Sequence, residues 1–326
     1  MRQTNLGTFG PVSRLTIGGG GIGQIWGETD SAEAVATLRA ALDGGITLID
    51  TAPMYRHCEA VVAEAFAGRL PDGVRITSKV RLGSPPPDEV GARVRQSVEA
   101  SLAAMRLERI DLFFLHTNIC RDDYVYAVRP DRQDVFATRW SHYAEGFIPA
   151  VEALKAEGKI GAWGITGVGV PETVIAALAH TPRPAVVQAV TNLLDSAGGM
   201  RSYAEPARPR DIIAAAVRNG VGVMGIRAVQ AGALTSAIDR DLPDAHAEAR
   251  DFDRAGPWRA LCRELGEDPA ALAHRYALSM DGVDTVVLGV KNRAELDQCL
   301  AAEAAGPLAA ELIARIDGLG LREAAA

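Results

Sequence analysis

Residues 45–59 read GITLIDTAPMYRHCE, and the run Ile46-Thr47-Leu48-Ile49 that ends on Asp50 decides how the chain is read. Four β-branched and aliphatic residues, preceded by the helix-stopping pair Gly44-Gly45, have the length and composition of a buried strand. A carboxylate at the end of such a strand is costly to bury unless something is paired with it. The partner has to come from another strand, and Tyr55 on the following loop raises the question of why a phenol stands beside it.

The same pattern repeats outward from this stretch. Upstream, Ser31-Ala32-Glu33 opens a helix with Val35, Leu38 and Leu42 on one side. Downstream, the strand Arg75-Ile76-Thr77-Ser78-Lys79 precedes Pro85-Pro86-Pro87-Asp88 and a helix carrying Val90, Val94, Val98 and Leu102. The strand Asp111-Leu112-Phe113-Phe114-Leu115 then ends at His116. Further strands are predicted at Ala162 to Thr166, Val186 to Val190, Val221 to Ile226 and Thr285 to Leu288. Helices at Phe147 to Glu157, Glu172 to Ala179, Asp211 to Arg218 and Pro269 to Met280 separate them. With Leu15 to Ile17 this makes eight strands, mostly one helix apart, which favours a single closed (β/α)8 TIM barrel over residues 1–326. A short hairpin from Leu6 to Arg14 precedes it. The longest loops, Asn118 to Glu145, Asp195 to Arg210 and Ala228 to Pro257, would lie at the C-terminal face, and the acidic stretch Asp239 to Asp253 reads as a solvated, mobile rim.

Composition excludes several classes of function. The chain has 326 residues, 48% hydrophobic and 23% charged, with a net charge of -7, so it has ample apolar content for a core and no basic stripe for nucleic acid or an anionic membrane. Cys58, Cys120, Cys262 and Cys299 are scattered without CxxC spacing, as suits reduced thiols in the cytoplasm. No apolar run approaches the roughly 20 residues of a membrane span. His57 beside Cys58 has no third ligand at metal spacing, so no metal is expected.

One motif competes with the barrel. Gly18-Gly19-Gly20-Gly21-Ile22-Gly23 satisfies G-x-G-x-x-G after a strand, as a dinucleotide-binding βαβ unit would. Gln24-Ile25-Trp26-Gly27 follows instead of a helix, so the segment is read as a flexible first loop at the barrel mouth, with Trp26 as a pocket wall.

In a barrel of this type the loops after the strands form the active face. The strand ends supply Asp50, Lys79, His116, Thr166, Gln188 and Arg227, with Tyr55 just past Asp50. Lys79 would pair with Asp50. An ammonium near Tyr55 would also lower the phenol's pKa from near 10 toward a value useful for proton transfer to a carbonyl oxygen. His116, as a neutral imidazole, would orient that oxygen.

GITLIDTAPMY, the lysine ending RITSKV, LHTN, GKIGAWGIT, VVQAVTN and LGVKNRAELDQCL stand in this order between about Leu6 and Ala302. Together the chain resembles the aldo-keto reductase superfamily. The resemblance implies a nicotinamide cofactor bound without a separate dinucleotide domain, and a catalytic tetrad Asp50, Tyr55, Lys79 and His116. It implies cofactor contacts from Gly21, Asp50, Thr166, Gln188, Ile226, Arg227, Gly289, Lys291, Asn292 and Glu295, and a substrate pocket of Trp26, Tyr55, His116 and Asn118. There are departures from the family pattern. Arg56-His57-Cys58-Glu59 replaces glycine and serine-glutamate after the tyrosine, Thr166-Gly167 replaces serine-asparagine, and Ile226-Arg227 stands where an aromatic is frequent. Lys291 pulls toward NADP and Glu295 toward NAD, and NADP is favoured. The expected activity is interconversion of an aldehyde or ketone with its alcohol. A Schiff-base aldolase using Lys79 and a non-catalytic nucleotide-binding subunit are the alternatives. The substrate, the direction and the oligomeric state are not encoded in these motifs.

Overall fold

The computed structural model describes residues 1–27 and 29–322. Its centre is a closed barrel of eight parallel strands: β1 Leu15–Gly18, β2 Leu48–Asp50, β3 Arg75–Val80, β4 Ile110–Leu115, β5 Ile160–Thr166, β6 Val186–Val190, β7 Gly222–Ile226 and β8 Thr285–Leu288. Each strand pairs with its successor, and β8 closes on β1 with Val286 opposite Leu15. All eight strands read from the sequence are present; β5 begins two residues earlier than the apolar run suggested, at Ile160.

Side chains alternate along a strand, so every second residue of each strand points into the barrel. Leu48, Leu112, Phe114, Val186 and Met224 share one buried cluster with Leu6 and Val12 of the N-terminal hairpin. The hairpin, Gln3–Asn5 against Pro11–Ser13, therefore plugs the bottom of the barrel. Gly7, at φ +48°, is where its backbone meets that of Gly222, too close for any Cβ. On the same inward faces, two residues further along, Leu48 gives way to Asp50 and Val186 to Gln188. The interior thus passes from an apolar floor to a polar top, which places the site at the C-terminal mouth.

The mouth is more ordered than the sequence suggested. The glycine run is not a flexible loop: Gly19–Ile22 forms one helical turn with all four residues buried. The 118–145 stretch contains a small parallel pair, Asn118–Cys120 with Ala137–Arg139, and a π-helical segment His142–Phe147 that leads into the helix Ile148–Ala156. The acidic rim carries the helix Ala247–Arg254, in which Glu248 and Asp251 are buried.

Candidate active site

Asp50 is positioned by register. It sits opposite Thr77 on β3, so Lys79, two residues on, points into the same layer. The Lys79 Nζ donates to Asp50 Oδ2 at 2.7 Å and to the Thr51 carbonyl at 2.8 Å. Asp50 Oδ1 accepts from Thr77 Oγ1 at 2.8 Å and from Gln188 Nε2 at 2.6 Å. Three donors on one carboxylate are what allow a fully buried ion pair to persist, and the cation that Asp50 required is Lys79. The contact also fixes the Gln188 amide: a carboxylate only accepts, so the nitrogen must face Asp50 and the carbonyl oxygen is left for another partner.

Tyr55 stands over this pair, held by a turn in which its amide donates to the Ala52 carbonyl. The Lys79 Nζ lies 4.6 Å from the Tyr55 ring centroid, and the Tyr55 hydroxyl is 3.5 Å from His116 Nε2. The two rings meet edge to face with centroids 5.6 Å apart. The expected lowering of the phenol's pKa is absent in this state. Burial, with Asp50 and Cys58 adding to it, holds Tyr55 well above the ordinary range of tyrosine. The reason is geometric: the ammonium gives its hydrogens to Asp50 and Thr51 and lies against the ring face, not at the hydroxyl. Burial pulls Lys79 below its usual range despite Asp50. Burial, then Lys79 and Arg81, hold His116 well below 6.5, so the imidazole is neutral at pH 7.

This last shift has a consequence for stability. An unfolded His116 would take up a proton near pH 6.5 while the folded one does not, so folding is weakened as pH falls through that value. The unfolding free energy is expected to drop by up to about 1.4 kcal/mol for each pH unit below 6.5 through this group. His116→Gln should remove that part of the slope in urea titrations between pH 7.5 and 5.5. Identical slopes in the two proteins would contradict the assignment.

The residues expected to hold a cofactor fall into two groups. Thr166 and Gln188 sit side by side in register on β5 and β6, both buried. Among the described residues the Thr166 hydroxyl has no hydrogen-bond partner and the Gln188 oxygen accepts none, so the pair offers two free polar atoms to a carboxamide. Ile226 packs half-buried against a mouth cluster that includes Tyr126, Val190 and Tyr203, an apolar wall beside them. The second group lies past β8. Asn292 caps the helix Arg293–Ala304 through the Glu295 amide, leaving a helix N-terminus of the kind that suits a phosphate. Gly21 contacts the Val290 carbonyl so closely that a Cβ would not fit, and a Cβ on Gly289 would lie 3.6 Å from Trp26. Trp26 therefore stands over Gly289 and Gly20 at the mouth, and Arg240 lies 5.9 Å over its ring.

Two expectations change in the structure. Arg227, expected to reach a pyrophosphate, adopts φ +62° and is buried against Glu248 at 2.5 Å and Gln230 at 2.8 Å. Asp251 accepts from Ser196 and Gln230, both at 2.6 Å. Glu248 and Asp251 are therefore buried groups that tie the loops after β6 and β7 together, while Asp239, Asp241, Asp244 and Asp253 form the solvated rim the sequence suggested. Lys291, expected to meet a 2′-phosphate, is instead flanked by Asp239, with which it makes a close ion pair, and by Glu295 at 3.3 Å.

The aromatic residues of the 118–145 segment divide. Tyr124, Tyr126 and Phe136 join the mouth cluster, whereas Trp140 packs on Tyr143 and His180, and Tyr143 stacks on Phe147, away from it. Asn118 begins the small strand there, its amide 3.5 Å from the Met200 carbonyl. Sequence reasoning missed Arg81, which follows Lys79 at the strand-face spacing of two; that spacing was the available signal.

Comparison with known proteins places this geometry. The Aldo/keto reductase family model matches residues 14–320. L-galactose dehydrogenase of Arabidopsis thaliana is 23% identical over 298 residues, covering 89% of this chain and 84% of that protein. D-threo-aldose 1-dehydrogenase of Pseudomonas sp is 26% identical over 320 residues, 88% of each. Among solved structures, an aldo-keto reductase from Bacillus halodurans superposes with a TM-score of 0.71 at 24% identity, covering 98% of this chain and 96% of that one, a likeness of fold. The first two of these relatives are named as dehydrogenases. With a family model spanning nearly the whole barrel, this chain belongs to the aldo/keto reductase family and is a nicotinamide-dependent oxidoreductase.

Proposed function

We propose that the protein interconverts an aldehyde or ketone and its alcohol at the mouth cluster, with Tyr55 as the acid/base. The observation that carries this reading is a phenol and a neutral imidazole 3.5 Å apart above a buried Lys79–Asp50 pair. A bound reduced nicotinamide would supply the hydride. Tyr55, held protonated, gives its proton to the carbonyl oxygen, and His116 donates a hydrogen bond to the same atom. Lys79 offsets the charge left on the phenolate, and Asp50 keeps Lys79 ionised. Thr166 and Gln188 would hold the carboxamide of the nicotinamide, and Ile226 would pack on its ring. Trp26 and Asn118 border the substrate. The burial of Lys79 and its two hydrogen bonds speak against a Schiff-base role, and a non-catalytic binder has no use for the phenol.

For the cofactor, the charge around Lys291 supports NADH over the NADPH favoured from the sequence, where Lys291 is weighed against Glu295 alone. Two carboxylates share one ammonium, and a 2′-phosphate would have to displace one of them. The titration of protein fluorescence by each cofactor is expected to show tighter binding of NADH. The double change Asp239→Asn with Glu295→Gln is expected to improve NADPH affinity by about tenfold. Tighter NADPH binding by the unaltered protein would reverse the assignment. All four cysteines are buried free thiols, and no helix among the described residues is long and apolar enough to cross a membrane. A reducing, cytoplasmic setting is the reading carried with this proposal.

A further inference from the structure

Arg81 is an unpaired cation at the reacting end of the mouth. In the β3–β4 ladder Val80 lies opposite Leu115, and the His116 amide donates to the Val80 carbonyl at 2.8 Å. The next positions, Arg81 and His116, are therefore neighbours on adjacent strand ends, with backbones about 5 Å apart. Arg81 follows Lys79 by two residues, just past the strand end, and is solvent-exposed at the mouth, near enough to His116 for its charge to act on the imidazole. Its guanidinium lies 5.7 Å from the Phe136 ring centroid, and Arg132 lies 4.9 Å from the same ring. Phe136 is fixed there: the Ser84 amide donates to the Asp134 carbonyl at 2.9 Å, and Thr138 Oγ1 to the Gly83 carbonyl at 3.0 Å. Among the described residues no carboxylate pairs with Arg81 or Arg132, in a chain of net charge -7 in which Lys79, Arg227 and Lys291 at the mouth are each paired with an acid, and Arg56, beside Tyr55, donates to the Gln24 carbonyl.

We propose that Arg81 is a substrate-recognition residue and that the preferred carbonyl substrate carries an anionic oxyacid group, a carboxylate or a phosphate, within a few bonds of the reacting carbon. The inference rests on the oxidoreductase reading of the same site. With the carbonyl oxygen between Tyr55 and His116, the strand end beside His116 carries Arg81, whose planar fork suits two oxygens of one anion. The Phe136 ring, its centroid 5.7 Å from the guanidinium, gives the cation an aromatic neighbour and no competing anion. Arg132, on the same ring, adds positive charge from the rim.

The test compares matched substrates that differ only in charge: succinic semialdehyde against butyraldehyde, and glyceraldehyde 3-phosphate against glyceraldehyde. In the unaltered protein kcat/KM should favour the anionic member of at least one pair by about tenfold to a hundredfold, and the pair that shows it tells carboxylate from phosphate. In Arg81→Met the ratio should fall to near one, carried by KM, and in Arg81→Lys it should recover in part. Binding of succinate or inorganic phosphate to the NADH complex, read by cofactor fluorescence, measures the same preference without turnover. A ratio near one in the unaltered protein, or equal losses for both members in Arg81→Met, would overturn the role of Arg81 while leaving the oxidoreductase reading intact. Lack of turnover of every aldehyde, with anion binding still dependent on Arg81, would sink the proposed reaction and not the anion site.

Discussion

Tyr55→Phe is expected to lower kcat for carbonyl reduction by about 10³-fold, with the affinity for NADH changed less than twofold. General acid catalysis by a positioned side chain contributes on the order of 10²–10⁴-fold, and no other group within reach of a carbonyl oxygen can take over. His116 is held in its neutral form, and the Lys79 ammonium is committed to Asp50 and Thr51. The substitution removes one oxygen and keeps the ring against Lys79, so the fold and the cofactor side of the mouth are undisturbed. Stopped-flow turnover and fluorescence titration of the same preparation separate the two quantities. Preserved turnover would show that the proton comes from elsewhere and end the assignment of Tyr55.

The second large effect concerns stability. Lys79→Met is expected to cost about 3–5 kcal/mol in unfolding free energy, because it leaves Asp50 ionised in the barrel interior with only neutral donors. Changing both partners, Asp50→Leu with Lys79→Met, should cost clearly less than the two single changes summed, since neither variant group then carries an unpaired buried charge. Urea unfolding of the three variants measures this. Strict additivity would mean that the two side chains do not stabilise each other, contrary to their 2.7 Å contact.

These two results probe the parts of the molecule that were most legible in the sequence. Local rules were enough for the eight strands, since each is a short apolar run set off by a helix of different period, and the run ending at Asp50 is one of them. Strand-end residues could be named for the same reason: a polar side chain that closes an apolar strand is visible without knowing its neighbours. Arg81 escaped notice because the sequence ends the strand at Lys79, which leaves Arg81 two residues out in what reads as loop. Only the register of β3 against β4 brings it beside His116. In the acidic segment 239–253 the two buried acids, Glu248 and Asp251, were not foreseen, because a run of carboxylates has a solvated face as its ordinary meaning. Nothing local announces that Glu248 will meet Arg227 and that Asp251 will meet Gln230 in the interior of the mouth.

The sequence by itself determined the closed barrel and its eight strands, and it was enough to name Asp50, Tyr55, Lys79 and His116 as candidates, because period, chain-local punctuation and residue type are properties of short segments. Tertiary structure alone decided the charge state of the site. The Tyr55 phenol lies high because the ammonium reaches its ring face and not its hydroxyl, Lys291 is held by two acids, and Arg81 has none. Each of those outcomes depends on which groups distant in sequence approach within a few ångströms, and on how much water is excluded when they do.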